Sequence, residues 1–461
     1  MELKDTERVF FAGIGGIGMA ALARYYLAKG LPVAGYDRTE SALTDELAAE
    51  GALVSYDDSI DAVPEAFRQK KGTLVVYTPA VPATNIPLTF FRKEGFEIHK
   101  RAAVLGQITR ASKSLCFSGT HGKTTTSSMA AHIMHSGAVG CNAFLGGILL
   151  GYNSNLMLSA TSPFSVVEAD EYDRSFHQLT PFIAVVNATD PDHLDIYGTE
   201  EAYLESFAHF TELIRSDGAL LVHTGLKLVP RPPQGVPVYT FSRHEGDFHA
   251  ENIRIGKGTI VFDFVHPGGT ITDIELGVPV EINIDNAVSA LAAVWLTGTL
   301  TPELARRAMA SYPGVERRFQ FHLKEENRAV IDDYAHHPDE LRQSIASVRA
   351  LYPGRKLTVA FQPHLYSRTR DFAQQFADVL SAADEVVLID LYPAREEPIP
   401  GISSDTIFQK VKNEKKILIS KQDFVDTMKN RNFEILLTSG AGDLNLYVPA
   451  LVKALKAEAI E

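Results

Sequence analysis

Apolar runs recur along the chain, each followed by a special turn and then by residues with helical spacing. Val9-Phe10-Phe11-Ala12 leads into Gly13-Ile14-Gly15-Gly16-Ile17-Gly18 and then a helical pattern over 19–27. The run 31–37 predicts a second strand ending at Asp37, and Thr73-Leu74-Val75-Val76-Tyr77 a later buried one. Such alternation of strands and helices predicts a parallel sheet.

The pattern then repeats twice. Ser114-Leu115-Cys116-Phe117, Phe164-Ser165-Val166-Val167 and 183–187 predict the strands of a second α/β segment. A Pro-rich patch at 230–233 and alternating residues near 260–262 and 271–274 predict a small antiparallel insert. In a third segment the strands fall at 329–332, 356–361, 385–389 and 434–437, with a closing helix over 450–456. The fold class is therefore α/β with three domains: a Rossmann-like one over 1–111, a central phosphate-loop one with the insert over 112–313, and another Rossmann-like one over 314–461.

Composition narrows the possibilities. A 461-residue chain with 45% hydrophobic and 22% charged residues is ordinary for a soluble protein. Its net charge of −13 argues against a nucleic-acid or anionic-membrane partner. The amino terminus lacks the pattern of a signal peptide, and no run is long enough to span a bilayer. With Cys116 and Cys141 alone, a disulfide framework is not expected, which places the protein in the cytoplasm.

The chemistry centres on Gly119-Thr120-His121-Gly122-Lys123-Thr124-Thr125. A glycine turn between a strand and a helix directs backbone N–H groups at phosphates. Lys123 then approaches the β/γ-phosphates of ATP, and the hydroxyl of Thr124 completes the shell of Mg²⁺. Phe117 stands where the longer form of this motif has glycine, so this is a short variant. Glu168 and His193 follow later strands as candidate oxygen and nitrogen metal ligands. Gly13, Gly15, Gly16 and Gly18, with Asp37 about 20 residues on, form a second diphosphate turn. Two such turns point to ATP plus a nucleotide-linked substrate.

Together these motifs resemble the Mur ligases, the ATP-dependent amide-forming enzymes of bacterial cell-wall synthesis. The resemblance implies that 13–18 hold a UDP diphosphate with Asp37 near the uridine, and that 119–125 hold ATP. It further implies that Glu168 and His193 bind magnesium, that Asn283 and Asn286 face adenine, and that Arg318 and Asp333 meet ATP when the third domain closes, about hinges near 112 and 313. Within the family, 332–338 and 361–369 resemble the branch that joins L-alanine to UDP-N-acetylmuramate, with His336, His364 and Arg368 on the substrate side. Lys123, His193 and Asp333 are then the catalytic candidates. Arg368 suits bidentate capture of the amino acid's carboxylate. His193, His336 and His337 are all candidates by type for taking the amine proton. The chain departs from the common pattern at Leu365, where arginine is usual, and at Tyr172, where a small residue is common. It has no lysine between Lys123 and Lys227, so it lacks the carbamylated lysine of later ligases in that region.

Other readings are a ligase that attaches a preformed tripeptide to the same sugar nucleotide, folylpolyglutamate synthase, a non-catalytic nucleotide switch and an NAD-dependent dehydrogenase. The last leaves Lys123, Glu168 and His193 without work. A monomer or a homodimer is expected.

Overall fold

The apolar runs form the predicted strands in the computed structural model, which describes residues 6–191, 194–394 and 396–458. In the amino-terminal part, β1 (Arg8–Ala12), β2 (Val33–Tyr36), β3 (Leu53–Ser55), β4 (Thr73–Tyr77) and β5 (Glu97–Lys100) lie in the order β3-β2-β1-β4-β5, all parallel. The order reverses at β1, so the turn after β1 opens at the point where an open α/β sheet binds ligands. The helix Ile17–Ala28 starts two residues earlier than its apolar spacing indicates, which places Gly18 in its first turn.

The second sheet comprises β6 (Lys113–Ser118), β7 (Asn142–Leu149), β8 (Ser154–Met157), β9 (Phe164–Glu168), β10 (Ile183–Val186), β11 (Ala219–His223) and β12 (Val238–Phe241). Their order is β12-β11-β10-β6-β9-β7-β8, with only β8 antiparallel to its neighbour. β6 is central and fully buried over 114–118. The order in which strands are added changes side of the sheet there, and the phosphate loop leaves its carboxyl end. Glu168 and the segment after β10 therefore flank the loop on opposite sides. They are consecutive in sequence but separated in the sheet by β6.

Strands β13 (His249–Gly256), β14 (Thr259–His266) and β15 (Gly269–Glu275) make the small three-stranded insert, joined by tight turns. The last sheet runs β16-β17-β21-β18-β19-β20, from β16 (Gln320–Lys324), β17 (Ala329–Asp333), β18 (Leu357–Phe361), β19 (Glu385–Ile389), β20 (Lys416–Ile419) and β21 (Ile435–Ser439). All its pairs are parallel except β16 with β17. Asp333, Ser439 and Phe361 share one row at its carboxyl edge.

The chain divides into two compact units. Met1–Glu251, Asp263–Ile274 and Ile284–Tyr312 form one, and Asn252–Phe262, Glu275–Asn283 and Pro313–Glu461 the other. Within the first, a buried polar joint fixes the two parallel sheets to each other. Arg24, 7% exposed, bonds Glu46 and Glu50 and donates from Nη1 to Asn155 Oδ1 at 3.1 Å. Asn155 returns a bond to the Ile17 carbonyl, at the head of the first helix. Both cysteines are buried and free. Among the described residues no helix is long and apolar enough to cross a membrane.

Candidate functional site

The phosphate loop is built for an anion. Gly122 adopts φ +80°, a conformation that costs glycine little, and a Cβ there would press on Asn286 Oδ1. The helix Lys123–Ser136 begins at once, with no side-chain cap and no acid in its first turn. Its leading N–H groups thus remain for phosphate oxygens. The loop is pinned from the β10 side: Thr120 N donates to the Ala188 carbonyl at 3.0 Å, and Thr120 Oγ1 to that of Asp190 at 2.7 Å. His121 is exposed at the tip.

Lys123 is held by the protein itself. Its Nζ donates to the Gly119 carbonyl at 2.7 Å and to Glu171 Oε1 at 2.8 Å, with a longer contact to the Thr120 carbonyl. Glu171 has a 1% exposed side chain, and its Oε2 has no partner among the described residues. Burial pushes its carboxyl above the ordinary range despite the lysine. Glu171 belongs to the motif 168–176, but nothing in its spacing marked it as the lysine's partner. The backbone just beyond it is unusual: Asp173 and Arg174 both have φ near +50°. Such conformations persist only where the surroundings enforce them.

Glu168 ends β9 beside the loop. Its Oε2 accepts from Gly146 N at 3.1 Å, and the Thr124 hydroxyl donates to the same carboxylate. Burial raises its carboxyl, opposed by Thr124 and Lys123. A Cβ at Gly146 would collide with the carboxyl group, so a larger residue there would displace the Glu168 carboxylate. Thr124 and Glu168 offer two hard oxygens that suit a magnesium ion completed by phosphate and water. No group of three or more His, Cys, Asp or Glu residues fit for a metal occurs among the described residues, and His193 lies outside them.

The turn 13–18 also closes on itself. Gly15 N donates to Asp37 Oδ2 at 2.7 Å, and Thr39 N approaches Oδ1 at 3.3 Å. Asp37 therefore braces the turn directly. Gly16 and Gly18 line a cleft of about 270 Å³ that also reaches Thr78, Arg101, Glu168 and Asp170. The glycine turn after β1 and the Glu168 carboxylate thus open into one cavity. Neither asparagine on the helix Ile282–Leu296 is a solvated surface group. Asn283 Nδ2 donates to the Val278 carbonyl, and Asn286 Oδ1 accepts from Thr126 Oγ1 at 3.1 Å.

The second unit gathers its candidates at the carboxyl ends of β17, β21 and β18. Asp333 accepts from Phe319 N at 3.0 Å and from the Ser344 hydroxyl, and burial lifts its carboxyl. Of the adjacent arginines, Arg317 is structural: Nη2 donates to the Gly440 carbonyl at 2.6 Å, and the guanidinium lies over Tyr334. Arg318, over the same ring at 5.9 Å, is left as the candidate for a ligand. His337 caps the helix Pro338–Leu351, with Pro338 in its first turn, so its sequence position serves the fold. His336 lies 6.1 Å from His364 between ring centres, and His364 stacks on Tyr392. Burial, with Arg368 and His336 nearby, draws His364 down to about 4, so it is neutral at pH 7. Its Nδ1 and Arg368 Nη1 are both buried without a partner among the described residues. Leu365, between them in sequence, has φ +69° and ψ 135°, a strained arrangement for a branched residue.

Three family models match the chain: "Mur ligase family, catalytic domain" over residues 8–113, "Mur ligase middle domain" over 117–294, and "Mur ligase, glutamate ligase domain" over 317–449. The UDP-N-acetylmuramate–L-alanine ligase of Phocaeicola vulgatus is 56% identical, with 98% of each chain covered. That of Parabacteroides distasonis is 57% identical over 97% of each. Among solved structures, the UDP-N-acetylmuramate–alanine ligase of Thermotoga maritima superposes with a TM-score of 0.80 at 25% identity, covering 98% of this chain and 99% of that one. A murein peptide ligase from Psychrobacter arcticus gives 0.63 at 20% identity over 97% and 98%, a likeness of fold alone.

Proposed function

Because this chain belongs to the Mur ligase family, we propose that it joins L-alanine to the lactyl carboxylate of UDP-N-acetylmuramate, using ATP. One observation within the site supports an amino acid as the acceptor: a buried Arg368 nitrogen without a partner among the described residues, beside a neutral His364. A guanidinium held this way receives a small carboxylate in bidentate fashion. The high identity to two L-alanine ligases over nearly the whole chain supports the same acceptor.

The lactyl carboxylate oxygen attacks the γ-phosphorus, and ADP leaves. The resulting acyl phosphate is attacked by the amine of L-alanine. The tetrahedral intermediate expels phosphate, the amine loses a proton, and an amide remains. Lys123 leaves Glu171 to meet the γ-phosphate and offset its charge during transfer. Thr124 and Glu168 would hold Mg²⁺, with His193 as a further proposed ligand; a metal bound there supplies charge to phosphate and carboxylate oxygens. Gly146 N fixes the Glu168 carboxylate for that role. The turn 13–18 receives the UDP diphosphate, Asn283 and Asn286 are assigned to the adenine end, and Arg318 and Asp333 to ATP. His364, neutral at pH 7, keeps one ring nitrogen free of a proton, and that nitrogen accepts a hydrogen bond from the incoming ammonium.

The test is phosphate release from ATP with UDP-N-acetylmuramate and magnesium, with and without L-alanine. Release that depends on L-alanine supports the assignment. Release that ignores the amino acid would leave a phosphatase-like activity and remove the ligase reading.

A further inference from the structure

Arg101 has no part in the chemistry above, yet it stands in the cleft that joins the glycine turn after β1 to the Glu168 carboxylate. It starts the helix Arg101–Arg110 directly after β5. Its guanidinium lies against Gly18: a Cβ at that glycine would fall 2.5 Å from Nη1 and 3.1 Å from Cζ. It therefore covers the first turn of the helix Ile17–Ala28, which has neither a side-chain cap nor an acid. Nη2 faces Asp170 Oδ2 at 3.4 Å. Charge-assisted bonds of this kind settle at roughly 2.7–2.9 Å, so the contact is stretched and leaves most of the five guanidinium donors unspent among the described residues.

Charge makes the position consequential. The described residues that line the cleft include two carboxylates, Glu168 and Asp170, and one cation, Arg101. A substrate bearing a diphosphate and a carboxylate would be repelled by such a wall without that cation. We propose that Arg101 is the receptor for an anionic group of the sugar nucleotide, gripping it at the uncapped head of the first helix. This deepens the ligase reading and rests on it. The anion is the diphosphate or the lactyl carboxylate, and one set of measurements separates them.

Binding of UDP-N-acetylmuramate, UDP-N-acetylglucosamine and MgADP to the full chain is measured by calorimetry for wild type, Arg101→Ala and Arg101→Lys. Arg101→Ala weakens UDP-N-acetylmuramate at least about tenfold, while MgADP affinity and the melting temperature hold; Arg101→Lys restores part of the loss. An equal loss with UDP-N-acetylglucosamine, which lacks the lactyl group, assigns Arg101 to the diphosphate; unchanged binding of that nucleotide assigns it to the carboxylate. Affinity of Arg101→Ala for UDP-N-acetylmuramate within about twofold of wild type overturns the proposal, as does a parallel loss of MgADP affinity, which makes Arg101 a fold residue. Wild type that binds neither sugar nucleotide overturns the ligase reading along with it.

Discussion

Lys123 Nζ sits 2.8 Å from Oε1 of Glu171, a carboxylate with a 1% exposed side chain and a second oxygen lacking any partner among the described residues. The lysine proposed to meet the γ-phosphate is thus held by Glu171 and the Gly119 carbonyl in this structure. Breaking a buried pair strands a charge, whereas neutralising both partners removes the penalty.

Lys123→Met accordingly abolishes L-alanine-dependent phosphate release and also destabilises the fold by about 2–3 kcal/mol, below the fully buried range because the lysine keeps some exposure. The double variant Lys123→Met/Glu171→Gln regains most of that stability and none of the activity. Urea unfolding and phosphate release measure the two effects separately. A double variant as unstable as the single one would show that the pair is not the cause.

Arg368→Ala raises KM for L-alanine by about a hundredfold, equivalent to about 3 kcal/mol of lost charge-assisted bonding, with little change in KM for ATP. It also lifts the titration midpoint of His364, because one of the cations depressing it has gone while burial persists. NMR titration of the imidazole reads the second effect. No movement of that midpoint would mean that Arg368 does not face His364.

Asp332 gives a pH dependence of known sign. It is 2% exposed, and burial pushes its carboxyl from 3.8 to about 6, against the Thr438 hydroxyl and Arg317. Below about pH 4 both folded and unfolded chains hold the proton. From there to about pH 6 the unfolded chain ionises first, so stability falls as pH rises, reaching a cost of about 3 kcal/mol. Asp332→Asn therefore matches wild type near pH 4 and is more stable by about 2–3 kcal/mol at pH 7. Unfolding free energies across that range check it, and parallel curves would refute it.

Gly146→Ala drives a methyl group into the Glu168 carboxyl. The magnesium concentration for half-maximal activity rises at least about tenfold, whereas ADP binding without metal changes little. Equal metal dependence in the two proteins would separate Glu168 from the metal.

The buried strands were legible because a parallel sheet covered on both faces demands continuous apolar runs such as 183–186 and 386–389. β7 and β8 were not: Gly146 and Gly147 interrupt the first, and its register with the second shifts between Phe144 and Leu149. The same glycine that hides the strand gives Glu168 its backbone donor. The strand-turn-helix setting of 119–125 was readable from local spacing, and the position of Glu168 at the end of β9 from its apolar strand. Arg101 and Asn155 were not, since each looks ordinary in its own segment and gains meaning only from residues far along the chain. The choice between Arg317 and Arg318 likewise needed the Gly440 carbonyl, which takes up the first.

The central claim concerns which acceptor receives the activated carboxylate. UDP-N-acetylmuramate, ATP and magnesium are incubated with the protein and equal concentrations of L-alanine and L-Ala-γ-D-Glu-meso-diaminopimelate, and the sugar-nucleotide products are weighed by mass spectrometry. The account predicts a product heavier by one alanyl residue, in step with phosphate release. A product carrying the tripeptide would contradict it, and so would ATP hydrolysis with no adduct at all.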